Sequence, residues 1–336
     1  NIYGNDSLTS FSASLLSSLG SSLTIRDNSD LTDVDFSSLT CISDFTIEGN
    51  DLSEESHYDL LVALTCSSED SLIVFRSTDA DDFCAGGVTS VENLYINAIG
   101  SEPVDLSCIT EITGSLEIEN SITLSIDLSS VGSIGDELNI HSNDSLESVD
   151  LSSLTSVGHY LQIQSNDDLV TVDLSGLLVV DEHLSVTSNT SLETLTLTSL
   201  TEVGDQFNFN SNGNLEMIDM PSLVEVGTQM YINSNSSLET ITLPSFVEIN
   251  SDISIESNYA LDEISMPVLV EVGGNLNIQR NEGMTTLDMP SLNSISGQLY
   301  LYQNYDLETV NLASLTTVSS SFNIQYSYAL DSIDLS

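Results

Sequence analysis

Asparagine recurs at Asn97, Asn120, Asn143, Asn166, Asn189, Asn212, Asn235, Asn258, Asn281 and Asn304, each 23 residues after the last. Asn5, Asn28 and Asn50 carry the rhythm toward the N-terminus with one spacing of 22, and Ser327 holds the next position toward the C-terminus. A period this strict is the mark of stacked structural repeats, in which each unit buries its apolar face only against its neighbours. It restricts the chain to a solenoid or a closed array of similar units.

The residues between asparagines decide which. In the copy that begins at Asn212 the apolar positions are Leu215, Ile218, Met220, Leu223, Val226, Met230 and Ile232. Ile218/Met220 and Met230/Ile232 are two apart, the alternation of a strand, and no run carries the three-and-four spacing of a helix. Each copy therefore holds two short strands, with a third expected around Val226. Pro221, Pro244, Pro267 and Pro290 share one column just after the first strand, where a missing N–H is tolerated. Gly135, Gly158, Gly204, Gly227 and Gly273 share another, read as corners of positive φ, with Asp181 and Asn250 in the same place. The expected fold is all-β: a right-handed parallel β-solenoid of 23-residue coils. It is expected to run as one continuous array over 1–336, with an irregular cysteine-containing segment at 51–96.

The asparagine column follows L-x-I-x-x and precedes x-x-L, at a corner between inward-facing residues. A side-chain amide there can satisfy backbone groups that a bend would orphan. Asn5, Asn143, Asn189 and Asn235 also read as N-glycosylation acceptors, whereas Asn166, Asn212, Asn258 and Asn281 do not. The column exists whether or not the acceptor motif does, which favours an internal strut. A glycan at some of the four is the alternative, and it requires an exposed amide.

Charge narrows the function. The chain has 52 acidic residues against three arginines, and its formal net charge is −49. Nucleic acids and anionic membranes both require a basic footprint, so neither is expected as a partner. No stretch is apolar for long enough to span a bilayer, and no leader or anchor motif is visible. Four cysteines, Cys41, Cys66, Cys84 and Cys108, lie in the first third. An even, clustered set suits two disulfides in an oxidising compartment, with three possible connectivities.

Stretches such as NDSLESVDLSSLTSVGHYLQIQSN (143–166) resemble a leucine-rich-repeat variant. They are similar to the receptor L-domain repeat and to fungal cell-wall repeat proteins of the Ecm33–Sps2 type. The resemblance covers the chain outside 51–96. It implies a right-handed solenoid with a corner asparagine ladder, an extracellular location, and a wall-building, adhesive or recognition role without catalysis.

Function should then lie on the outward positions. One column of the first strand holds Asp127, Asp150, Asp173 and Asp219, and another holds Glu193, Glu216 and Glu239. Carboxylates one coil apart repel by ~1 kcal/mol in water, so salt or a bridging cation is expected, and Ca²⁺ takes oxygen ligands flexibly. A solvated acidic face is the plainer alternative. Asp79, Asp81 and Asp82, in STDADD, form a further Ca²⁺ candidate on composition alone. The other strand presents a nearly uncharged face that includes Asn208, Asn210, Tyr231, Asn233, Asn277, Gln279, Tyr300 and Tyr302. Amides and tyrosines suit sugar hydroxyls or a protein surface.

No zinc-binding, nucleophile-elbow or phosphate-loop motif is present, and no enzyme is expected. Both termini fall within a coil without an evident cap, so end-to-end stacking into filaments is a further expectation. The reading is an extracellular structural or adhesive protein whose partners are its own copies or other matrix components. A glycan- or protein-recognition module is the alternative.

Overall fold

Over residues 104–325 each period folds into one coil with three strands. In one such coil these are Met217–Asp219, Glu225–Val226 and Met230–Asn233. Each pairs in parallel with its counterpart in the next coil: Ile218 with Ile241, Val226 with Ile249, and Ile232 with Ile255. The seven apolar positions read from the Asn212 copy are all buried, none more than 2% exposed. Alternation along the strands produces this, because residues two apart share a face. The core is thus a set of stacked columns of Leu, Ile, Val, Met and Phe.

The computed structural model describes residues 1–19, 22–36, 38, 44–50, 72–76, 89–97 and 104–336. The chain divides into two units, Asn1–Leu154 and Thr155–Ser336. In the first, the longest strands follow one another in a parallel sheet: Ile2–Tyr3, Ser22–Asn28, Asp44–Asn50, Leu72–Arg76, Asn93–Asn97, Leu116–Glu119 and Leu138–His141. In the second, the equivalent sheet holds Leu161–Gln164, Leu184–Thr187, Phe207–Asn210, Met230–Asn233, Ile253–Glu256, Leu276–Gln279, Leu299–Tyr302 and Phe322–Gln325. The remaining strands, of two or three residues, form narrower parallel sheets that complete the coils. Both units are all-strand β-solenoids, and no helix occurs among the described residues.

The segment 51–96 is not wholly irregular. Leu72–Arg76 is a strand that pairs with Asp44–Asn50 on one side and Asn93–Asn97 on the other. The step from Phe45 to Ile73 is 28 residues and that from Ile73 to Leu94 is 21, so the strand escapes a search at fixed period.

The proline column sits at turns. Leu223 N–H donates to the Met220 carbonyl at 3.3 Å across Pro221–Ser222, and proline's fixed φ suits that first central position. The glycine column has a different cause from the one expected. A Cβ at Gly227 would lie 1.9 Å from the Gly204 carbonyl oxygen, so close approach of adjacent coils selects glycine there. Positive φ belongs instead to the residue before each corner asparagine: Ser165, Ser188, Ser211, Ser234 and Ser257, at 54–60°. This left-handed residue interrupts the alternation. Phe209 points inward and Asn210 outward; after Ser211, Asn212 points inward again.

Candidate contact face

The corner asparagines form a ladder in the second unit. Asn166, Asn189, Asn212, Asn235, Asn258, Asn281 and Asn304 are all fully buried. Each Oδ1 from Asn189 to Asn304 accepts the backbone N–H of the preceding asparagine, at 2.9–3.2 Å. Each Nδ2 in that same series donates to a strand carbonyl 26 residues back, as from Asn235 to Phe209 at 2.9 Å. In the first unit Asn143 Nδ2 donates likewise to Ile118, 25 residues back, also at 2.9 Å.

The register corrects one member of the ladder. Leu116 pairs with Leu138, a step of 22, so Ser121 rather than Asn120 occupies the rung before Asn143. Ser121 is buried and its N–H donates to Asn143 Oδ1 at 3.0 Å. Asn120 is exposed, with φ 51°, in the left-handed position. Asn97 pairs with Glu119 at the end of a strand and is not a rung either.

Of the four acceptor motifs, Asn143, Asn189 and Asn235 have buried amides committed to carbonyls, and Asn5 is exposed. Cys41, Cys66 and Cys84 lie outside the described residues, as do Asp79, Asp81 and Asp82. Cys108 is half-buried and disulfide-bonded.

The acidic columns serve the backbone more than one another. Asp127, Asp150 and Asp173 each accept the N–H two residues on, at 2.9–3.0 Å. This is the side-chain turn that Asp favours. Asp219 precedes Met220-Pro221, where that donor is missing. Asp127 and Asp150 are in register, but Asp173 faces Thr196 and Asp219 faces Thr242 in the next coil. Glu193, Glu216 and Glu239 are exposed, each preceding a strand rather than lying in it. Among the described residues, neither column gathers three ligand atoms within 4.8 Å of one another.

A denser acidic row is not evident from strand alternation. Glu202, Glu225, Glu248 and Glu271 pair successively in the sheet of two-residue strands. A strand of two residues shows no alternation, so the third strand expected around Val226 carried no sign of the row its glutamates form. The signal was the recurrence of glutamate at 23-residue spacing.

The eight residues expected on one outward face lie on it. Asn208, Asn210, Tyr231, Asn233, Asn277, Gln279, Tyr300 and Tyr302 all lie half-buried on the outward side of the long-strand sheet of the second unit. Asn208 pairs with Tyr231, Asn210 with Asn233, Asn277 with Tyr300 and Gln279 with Tyr302. The amides are partly consumed within the face. Asn210 Nδ2 donates to Asn208 Oδ1, the Asn233 N–H donates to Asn210 Oδ1 at 2.8 Å, and Gln298 Nε2 donates to Asn277 Oδ1 at 3.1 Å. One carboxylate interrupts these strands: Glu256 accepts from Ser254 Oγ at 2.9 Å and from Gln279 Nε2 at 3.1 Å.

The tyrosines are different. Tyr300 and Tyr302 stack with ring centres 5.4 Å apart, and Tyr326 meets Tyr302 edge-on at 5.3 Å. Tyr328 contacts Tyr326 edge-on and stacks on Tyr305 at 5.6 Å. Tyr328 is 77% exposed and Tyr326 50%. Tyr305 and Tyr328 are 23 apart, so the repeat alone would have placed them as a stacking pair. The result is a connected aromatic surface at the edge of an amide-rich face, with rings rather than charges presented to solvent.

No family model matches this chain, and no curated protein does. The chain is similar to the crystal structure of a TLR13–ssRNA13 complex, at 12% identity and a TM-score of 0.27. The match covers 90% of this chain and 57% of that one. A likeness of that order says nothing about function.

Proposed function

We propose that this chain is an extracellular adhesive or structural solenoid that makes its contacts through the amide–tyrosine face. The observation that carries this reading is the linked set Tyr300, Tyr302, Tyr305, Tyr326 and Tyr328. Tyrosine combines a large apolar ring with a polar tip and loses little entropy on binding, which is why contact surfaces are rich in it. Ring faces pack on the C–H faces of sugars and on apolar patches of proteins. The neighbouring amides offer hydrogen bonds without the desolvation cost of charge.

The strongly acidic remainder of the surface repels its own copies and anionic partners, so it directs contacts to the uncharged face. Salt or Ca²⁺ screens the acidic rows in this reading, and disulfides among Cys41, Cys66, Cys84 and Cys108 suit the same compartment.

The test is binding to immobilised neutral oligosaccharides, run beside sedimentation velocity for self-association. Wild type is expected to bind or self-associate. Tyr300→Ala with Tyr328→Ala should reduce that at least tenfold, while Glu225→Gln retains it. Equal behaviour of wild type and the tyrosine variant would overturn the reading.

A further inference from the structure

The first unit carries on the outward side of its long-strand sheet a group that the amide–tyrosine face does not involve. Glu117 and Glu119 lie two apart on Leu116–Glu119, so both side chains leave the same face. His141 ends the adjacent strand, directly in register with Glu119. His141 Nε2 is 3.2 Å from Glu117 Oε1 and 3.8 Å from Glu119 Oε2. The three ligand atoms all lie within 4.8 Å of one another, the only such group among the described residues. In a chain so rich in carboxylates, that convergence is set apart by the imidazole.

Two further observations bear on it. His141 Nδ1 is 3.3 Å from Ser142 Oγ, while Nε2 lies on the side of the carboxylates. A hydrogen-bond partner on the other ring nitrogen is the usual arrangement at a metal-ligating histidine. Asn139 is in register with Glu117 and two residues before His141, and its Oδ1 is buried without a hydrogen-bond partner. A buried acceptor left unmatched costs free energy that a bound donor would recover.

Charge points the same way. Two carboxylates around one imidazolium keep a net negative charge, and around a neutral imidazole they keep two. A divalent cation bound to both carboxylates and a neutral imidazole brings the group to zero. We propose that Glu117, Glu119 and His141 form a binding site for a borderline divalent transition ion such as Zn²⁺. The imidazole selects for this class, since Ca²⁺ and Mg²⁺ take oxygen ligands. The site is distinct from the acidic columns and does not depend on the contact-face reading.

Titration calorimetry of the full chain with Zn²⁺ in millimolar Ca²⁺ tests it. One tight equivalent should bind and survive the excess Ca²⁺. His141→Gln and Glu119→Gln should each weaken it at least tenfold, and His183→Gln, beside the single carboxylate of Asp205, should leave it unchanged. Zn²⁺ should raise the melting temperature of wild type but not of Glu119→Gln, whose outward, isosteric change preserves the fold. The proposal is overturned if no tight equivalent appears, if Ca²⁺ displaces it, or if Glu119→Gln binds as wild type does.

Discussion

Asn235 has two amide donors and a carbonyl with two lone pairs, and at its corner the backbone supplies partners on both sides. Its Oδ1 accepts from the Asn212 N–H at 2.9 Å and its Nδ2 donates to the Phe209 carbonyl at 2.9 Å. Asn235→Ala strands both groups in the core, at about 1–3 kcal/mol each. The expected loss is therefore about 2–6 kcal/mol in a denaturant titration. Asn120→Ala, at an exposed position, should cost about 1–2 kcal/mol at most, the scale of a left-handed preference. Equal losses would contradict the assignment of Ser121 to the rung. The same geometry predicts that peptide mapping of protein expressed through a glycosylating secretory pathway finds no glycan on Asn143, Asn189 or Asn235, whose amides are sealed; Asn5 is the accessible acceptor. The rungs from Asn143 onward were legible because a polar residue repeated at an inward corner is costly unless it bonds the backbone. Asn120 misled because a 22-residue coil placed an asparagine one position early. The left-handed serines were invisible, since serine carries no marked preference for positive φ.

At the scale of the element, strand length governs what can be read. The four-residue strands alternate and were found directly, as were the inward Met230 and Ile232. The two-residue strands cannot alternate, and with them went the row Glu202, Glu225, Glu248 and Glu271. Parallel strands lie ~4.8 Å apart, and adjacent carboxylates at that spacing repel by about 1 kcal/mol in water. Glu225→Gln together with Glu248→Gln removes the repulsion at every step of the row. The double variant should melt higher than wild type at ~10 mM salt, where the Debye length is ~30 Å, and the difference should shrink by ~150 mM. A melting temperature independent of both salt and substitution would show that the row is not under electrostatic load. Coil-to-coil contact makes a companion prediction: Gly227→Ala forces a methyl against the Gly204 carbonyl and should destabilise by about 1–3 kcal/mol, the range for overpacking, read by thermal melting.

At the scale of the whole molecule, the repeat determines the fold, and the outward residues determine what the fold can touch. The solenoid class, the coil length and the eight residues of the amide–tyrosine face were all available from spacing alone. The strand Leu72–Arg76 was not, because coils of 28 and 21 residues break the period. The aromatic surface was only half visible: Tyr300 and Tyr302 fell on a predicted strand, but Tyr326 occupies a left-handed position and Tyr305 and Tyr328 lie beyond the strand ends. The cluster of Glu117, Glu119 and His141 needed the register, since a 22-residue step brings together residues that a 23-residue template would misalign.

The function proposed above has contacts with a partner run through the uncharged face and not through the acidic rows. The most direct measurement is the affinity for a bound neutral oligosaccharide, or for a second copy, as NaCl rises from ~50 mM to ~1 M. Over that range screening abolishes long-range interaction between exposed charges. Contacts made by tyrosine rings and amides should hold or tighten as the acidic rows are screened. An affinity that collapses with salt would place the contacts on the carboxylates and contradict the account.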